Sequence, residues 1–471
     1  MHREMIGGLR IAKCYLILLF CLSNCVVYAQ EIYVSSSKGH DENNGLTPET
    51  PVRTIKKAIS KGNTIYLAAG DVFYEYVALY ERTIKRFGDG VNPEINGLRT
   101  ILGRPWHQVE PHIWKINLTT CETAGFQVHQ TSELNNVGCL YEVEKDCLHG
   151  RKCPNYKDLQ KDWDFFQCDI QTYKLKGNSS FDELFLYYTG NPNDLVLSVS
   201  VGSHYGIALY DSSVESVNVK GFGTGGITLN GSSNVRNCRI DIIGGSMMLG
   251  GDVTCSLGNG VDFWVSRDAH DCIIEGNYIS RCYDCGGSIQ ASKCGRATPR
   301  NIVFRDNLIS HCCQGWEDFL RNDADVMFEN CRFENNYIVY SGDSGFGYIP
   351  ERKKYCNVLG NNVEGDRGMI IKNNTFIGGN FYCSGVYNRR YSSNVWNSNV
   401  HYVERGSYLL SEYNGTQDVL VIPSSGSYSS VIAQYRVLTD DNSTRFKVSS
   451  ASKIERLSRR TIKKYLNKHS Y

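Results

Sequence analysis

Apolar and polar residues alternate along this chain in short runs, and many of the runs open on glycine: Gly206-Ile-Ala-Leu-Tyr210, Gly226-Ile-Thr-Leu-Asn230, Gly260-Val-Asp-Phe-Trp264, Gly286-Gly-Ser-Ile-Gln290, Gly345-Phe-Gly-Tyr-Ile349 and Gly385-Val-Tyr-Asn-Arg389. A period of two marks a strand with one buried face. A second kind of run carries an asparagine one or two residues before an apolar residue, as in Glu275-Gly-Asn-Tyr-Ile279, Arg305-Asp-Asn-Leu-Ile309, Glu334-Asn-Asn-Tyr-Ile338 and Lys372-Asn-Asn-Thr-Phe376. Asn277, Asn307, Asn336 and Asn374 are 30, 29 and 38 residues apart. One such unit has too little apolar surface to fold alone, whereas stacked units bury a continuous core. The pattern therefore predicts coils of short strands about 4.8 Å apart. Each asparagine then lies over the next at a corner, as a structural ladder without chemistry.

The two ends differ from this repeat. Thr50 as N-cap and Pro51 at the first helical position predict a short helix that places Val52, Ile55 and Ile59 on one face, suited to cover the open end of a coil stack. Strands follow at Thr64–Leu67 and Val72–Tyr74. At the other end Lys453, Arg456, Arg459, Arg460, Lys463, Lys464 and Lys468 share a segment with Ile454, Leu457, Ile462, Tyr465 and Leu466. That is a basic amphipathic helix, read as a cap over the last coil or a solvated tail, with membrane or anionic-glycan contact as the rival.

Composition supports an all-β chain, with 45 Gly and 30 Tyr among 471 residues. Fifty Lys plus Arg balance 49 Asp plus Glu, so no global field exists to hold nucleic acid. The first residues carry Arg3, Arg10 and Lys13, the apolar run 15–22 and then Val27-Tyr-Ala29. They read as a signal peptide cleaved near Ala29, with lipidation at Cys25 as the weaker alternative. The apolar core is too short to span a membrane, and no later stretch offers a transmembrane helix. The expected location is secreted, periplasmic or at the cell surface.

Sixteen cysteines remain after that cleavage. Cys139, Cys147, Cys153 and Cys168 lie in a loop-rich stretch where cross-links would help order the chain. Cys272, Cys282, Cys312 and Cys331 recur at matching places in the repeats and are expected to be stacked buried thiols. Cys282-Tyr-Asp-Cys285 has redox spacing without a thioredoxin-like context, and no second close pair completes a zinc set.

With the glycine-led strands and the asparagine corners in hand, the chain resembles the right-handed parallel β-helix (pectate-lyase-like) superfamily of secreted bacterial proteins. The segment around Trp163-Asp-Phe-Phe166, Glu183-Leu-Phe-Leu-Tyr-Tyr188 and Gly190-Asn-Pro-Asn-Asp194 resembles a small β-rich insertion found in such proteins. The chain is accordingly expected to divide into a signal peptide over 1–29, an N-terminal cap and first coils over 30–103, the insertion over 104–200, the main coils over 201–410, and C-terminal strands with the basic tail over 411–471. The resemblance specifies fold more than function, because this fold hosts lyases, hydrolases, epimerases and adhesins.

Chemistry is expected on the outward side of the glycine-led strands. Alternation aligns Ala208, Thr228, Asp262, Ser288, Glu317, Gly347 and Tyr387 in one outward column. A second column holds Tyr210, Asn230, Trp264, Gln290, Phe319, Ile349 and Arg389. Asp318 then points inward, unless a bulge shifts Gly315-Trp-Glu-Asp-Phe319 by one and exposes it instead. Asp262 and one of Glu317 or Asp318 would project two coils apart, roughly 9 to 10 Å. Inverting glycoside hydrolysis uses carboxyls about 6.5 to 9.5 Å apart, with a water between. Trp264 offers a flat face for a sugar ring and Gln290 hydrogen bonds. The turns add Asp252, Asp268, His270, Asp284, Arg321, Asp323, Asp325 and Asp343, of which His270, Asp284 and Arg321 are candidate substrate contacts. A lyase would need a cation for the enolate-like charge, and 321–325 could give calcium its oxygens without the full spacing of a calcium loop. His270 and His311 read first as structural hydrogen-bonders.

The expectation is thus a monomeric carbohydrate-active β-helix cleaving a polysaccharide, hydrolase ahead of lyase. A non-catalytic glycan-binding or adhesion β-helix is the alternative. No resident metal is expected, calcium being possible.

Overall fold

The computed structural model describes residues 30–127, 136–167, 181–202, 205–246, 258–264, 269–291, 296–320, 325–342, 344–346, 357–360, 368–379, 384–386, 394–411, 418–439, 441–469 and 471. Within them the repeat becomes a parallel β-helix of three walls, each a ten-stranded sheet. One coil shows the path: Asn259–Trp264 on wall 1, Ile273–Glu275 on wall 2, Tyr278–Cys282 on wall 3, then Cys285–Ala291 back on wall 1. The first coils already form between residues 31 and 96, and Val77–Tyr80 pairs directly with Tyr205–Tyr210.

The residue types at the corners explain the sequence signature. Where wall 2 turns into wall 3, the left-handed backbone falls on Ser216, Asn237, Gly276, Asp306, Asn335, Asn373 and Ser398. Short polar residues and glycine tolerate that conformation best. The next residue is the ladder. The Asn277 backbone N–H and Nδ2 both donate to Asn307 Oδ1 at 3.0 and 2.9 Å, Asn307 does the same to Asn336, Asn336 to Asn374, and Asn374 to Asn399. Each amide also reaches a wall-2 carbonyl, as Asn307 Nδ2 does to Ile274 at 2.9 Å. The expected ladder is present and runs one rung further, to Asn399.

The leading glycines have a different cause. Pairing on wall 1 runs Tyr205↔Gly225↔Asn259 and resumes at Ile207↔Ile227↔Val261, leaving the glycine of each coil out of register. A Cβ on Gly226 would lie 2.3 Å from the Gly260 carbonyl and 2.7 Å from Ile240 in the core. Glycine and the residue after it therefore both face inward, as in a bulge. Gly226→Ala is expected to lower the unfolding free energy by about 1–3 kcal/mol in a denaturant titration, because backbone of the next coil must move.

Inside the walls, Val261, Phe263, Ile274, Ile279, Ile289, Phe304, Trp316 and Phe333 are all fully buried in one core. Trp316 packs between Phe304 and Phe333 at ring distances of 4.6 and 4.8 Å. Cys272, Cys282, Cys312 and Cys331 belong to the same core as free thiols, as expected. Cys139, Cys147 and Cys153 are free thiols too, and Cys168 lies outside the described residues.

Three expectations change. The capping helix α1 spans Ile55–Ile59 with Thr54, not Thr50, as N-cap. Val52 stays extended because its N–H donates to Tyr33 and it bridges Val34. Gly345–Ile349 does not supply the next wall-1 strand. Gly345 sits in a bend, and Val358–Gly360 pairs with Trp316 and Glu317 instead. The basic segment is no cap either. The end of the stack is covered by α2 (Ser429–Thr439), whose Tyr435 packs with Val403, Leu409, Leu420 and Ile422. The basic helix α3 (Ala451–Lys468) lies along the outside of wall 3, where Ile454 and Tyr465 meet Tyr278, Leu308, Val339 and Ile377. Tyr465 anchors it by donating its hydroxyl to Asp306 O at 2.7 Å.

The insertion between wall 3 and wall 1 forms two five-stranded sheets. Its Cys139 and Tyr141 pack against Ile242, Tyr283 and Phe346 of the coils. Among the described residues no helix is long and apolar enough to cross a membrane.

Candidate functional site

Wall 1 carries the candidate chemistry, and the glycine bulge determines what faces out. With two inward residues in succession, the residue before each glycine turns outward beside the column two positions after it. Tyr205, Asn259 and Cys285 thereby join Thr228, Asp262, Ser288 and Glu317. Register places Thr228↔Asp262↔Ser288↔Glu317 in one continuous line. No further bulge intervenes at 314–320, so Glu317 is outward. Asp318 pairs with Ile289 and faces the interior, 1 % exposed, where it accepts from Asn394 Nδ2 at 2.8 Å. It is excluded from the outward pair.

Asp262 and Glu317 stand two strands apart, with Ser288 between them. Asp262 Oδ2 accepts from the Tyr205 hydroxyl at 2.9 Å and from Asn259 Nδ2 at 3.4 Å. Glu317 Oε2 accepts from Gln290 Nε2 at 2.7 Å and from the Cys285 thiol at 2.8 Å. Burial pushes the Cys285 thiol well up, and the neighbouring Glu317 and Asp284 carboxylates add to that, so it remains a protonated donor. Each acid is thus held by its own pair of neighbours. Contrary to the expected open face, both are buried, Asp262 to 1 % and Glu317 to 6 % exposure. Gln290 and Asp284 are half-buried.

Asp284, Cys285 and Glu317 bring ligand atoms within 4.8 Å of one another. A thiol is too soft a donor for calcium, which takes oxygen ligands only. This donor set therefore does not fit calcium, and no step below uses a metal.

Other expected contacts fall elsewhere. His270 lies at the corner leading to wall 2, where Nδ1 bonds Asp271 Oδ2 at 2.9 Å and the chain bridges Arg300. Below Glu317 the column continues as Leu359 and Gly385, not Gly347 and Tyr387, because the wall-1 strands of those coils start at different residues. Tyr387, Arg389, Arg321, Asp323, Asp252, Asp268 and Asp343 lie outside the described residues. The Trp264 backbone pairs with Gln290, its expected neighbour in the second column. Tyr205, Asn259 and Cys285 were not anticipated. Their position immediately before the repeat glycine was the available signal, and only the bulge turns it outward.

The fold and this wall define a parallel β-helix with a hydrogen-bonded carboxylate pair on one outer face. No protein-family model matches the chain, and no curated protein does. Among solved structures it is similar to XylC in complex with xylose, at a TM-score of 0.41 and 12 % identity over 89 % of this chain and 82 % of that one. A glycoside hydrolase aligns at 0.34 and 11 % over 79 % and 96 %. The native GH136 lacto-N-biosidase of Eubacterium ramulus aligns at 0.35 and 10 % over 89 % and 67 %. Likeness at this level assigns no activity.

Proposed function

We propose that the chain is an exported carbohydrate-active protein that hydrolyses a polysaccharide on wall 1 with inversion at the anomeric carbon. The observation that carries this reading is the in-register placement of Asp262 and Glu317 two strands apart on one outward column. Their backbones are then roughly 10 Å apart, and carboxyl groups converging from that distance leave room for one water. One carboxyl protonates the leaving oxygen while the other deprotonates water on the opposite face of the sugar. Tyr205 and Asn259 fix Asp262, and Gln290 and Cys285 fix Glu317, so neither acid must be ordered during reaction. The half-buried Gln290 amide supplies a sugar contact beside Glu317.

Burial of both carboxylates favours a second reading, in which the same face binds a glycan without cleaving it. Incubation with a panel of plant, algal and host polysaccharides separates the two. New reducing ends, with product of inverted configuration by proton NMR, are expected. Retained configuration would exclude the inverting pair. Unsaturated uronate absorbance would mean a lyase, and retention of polysaccharide without new ends would mean a binder.

A further inference from the structure

Outside wall 3, on a different wall from the carboxylate pair, a cleft of about 810 Å³ opens between the wall, α3 and the tip of the insertion at Asp146, Cys147 and Leu148. Within one residue of the end of each wall-3 strand here a residue is left-handed, and these stack in register as Gly221, Ile242, Arg281, His311, Tyr340 and Gly378. At the asparagine corner this conformation falls only on Ser, Asn, Asp and Gly. In the wall-3 column glycine occupies both ends and Ile242, at φ 58°, is buried under the insertion, while the three positions lining the cleft carry a guanidinium, an imidazole and a phenol at φ of 50°, 53° and 51°. Bulky residues kept in that region cost stability, and such outliers cluster where the displayed side chain is used.

The charges around the cleft are already paired. Arg239 Nη2 and Arg281 Nε both donate to the buried Asp241, each at 2.8 Å, and Arg281 Nη1 reaches Asp146 at 3.2 Å. Burial alone would raise the Asp241 carboxyl, but Arg281 and then Arg239 override it and hold it down at about 2. Arg459 of α3 pairs with Glu455. Three guanidiniums thus meet three carboxylates. Between them lie flat rings: Tyr278 under Arg239 at 5.5 Å, and Tyr340 beside His311 at 5.8 Å.

We propose that this cleft is a second glycan-binding site, independent of wall 1, that takes a neutral oligosaccharide. An anionic chain would meet Asp146 and Glu455, and a cationic ligand would meet Arg239, Arg281 and Arg459. A neutral ring with many hydroxyls finds fixed donors and acceptors on every side and aromatic faces for its C–H surface. The volume accommodates a few sugar rings.

The test reads His311 itself, so it is indifferent to what wall 1 does. The full chain is treated with diethyl pyrocarbonate, and carbethoxylation of His311 is followed by mass spectrometry with neutral hexasaccharides of glucose, xylose, mannose or galactose, and with hexagalacturonate. At least one neutral hexasaccharide is expected to slow His311 modification fivefold or more, hexagalacturonate to have no effect, and Arg459→Ala to abolish the protection without lowering Tm. His311→Asn, whose new side chain suits the left-handed backbone, is expected to melt no lower than the wild type. No protection by any neutral sugar, protection undiminished in Arg459→Ala, or protection by hexagalacturonate alone would each overturn the proposal. So would a lower Tm for His311→Asn, which would mean that the imidazole serves the fold.

Discussion

Asp262→Asn and Glu317→Gln are each expected to reduce turnover of a responsive polysaccharide by 10²–10⁴-fold, the usual contribution of a general acid or base. That is about 3–5 kcal/mol of barrier. The size follows from chemistry, because an amide can neither give nor take the proton that moves in glycosidic cleavage. The fold has little reason to respond. The amide oxygen introduced by Asp262→Asn would still accept from the Tyr205 hydroxyl, and that introduced by Glu317→Gln could still accept from Gln290, the groups that bond the native carboxylates at 2.9 and 2.7 Å. Tm should therefore stay within a few degrees, and retention on the same polysaccharide should persist. Reducing-end assays of the two variants beside the wild type decide the matter, and a variant keeping more than a tenth of the activity would remove that residue from the chemistry. Asp318→Asn is the internal control. Its carboxyl faces the core against Asn394, so its replacement should act on stability and leave the chemical step alone.

Asn307→Ala should be the most damaging single change to the coil stack, costing about 3–5 kcal/mol of unfolding free energy. Asn307 is fully buried and works in both directions along the ladder. Its Oδ1 accepts from the Asn277 N–H and Nδ2, and its Nδ2 donates to Ile274 O and Asn336 Oδ1. Alanine leaves buried donors of the coil above and an acceptor of wall 2 unsatisfied, each at about 1–3 kcal/mol. A cavity adds to this. Urea titration of the variant measures the loss. A cost below about 1 kcal/mol would mean that the stack relaxes to satisfy those groups otherwise, and that the ladder is ornament.

Much of the architecture was legible because a parallel stack repeats its local rules. The Asn-ended runs located the corner between walls 2 and 3, since a left-handed residue followed by a ladder amide leaves a two-residue mark such as Asp306-Asn307 or Asn335-Asn336. Alternation alone placed Asp262 and Glu317 in one column. It failed in the coil after residue 320, where the Gly345 run imitates the repeat while the paired strand is Val358–Gly360. A periodic pattern states that a strand can form, not which of two nearby segments wins the edge of the sheet. The start of the capping helix was misplaced for a related reason. Thr50-Pro51 has good local start chemistry, but pairing of Val52 with Val34 outweighs it and moves the N-cap to Thr54.

From sequence alone came the coil, its corners and an outward Asp262 with either Glu317 or Asp318 two coils on, because strand alternation and left-handed turn residues are local properties that each unit repeats; the register chose Glu317. The three-dimensional stack decided what those acids touch. A one-residue bulge at each glycine swings Tyr205, Asn259 and Cys285 onto the face beside them, and burial closes over both carboxylates. It also decided that the basic helix lies on wall 3 and makes a cleft there, since which surface an amphipathic helix covers depends on partners distant in the chain and leaves no periodic trace in its own segment.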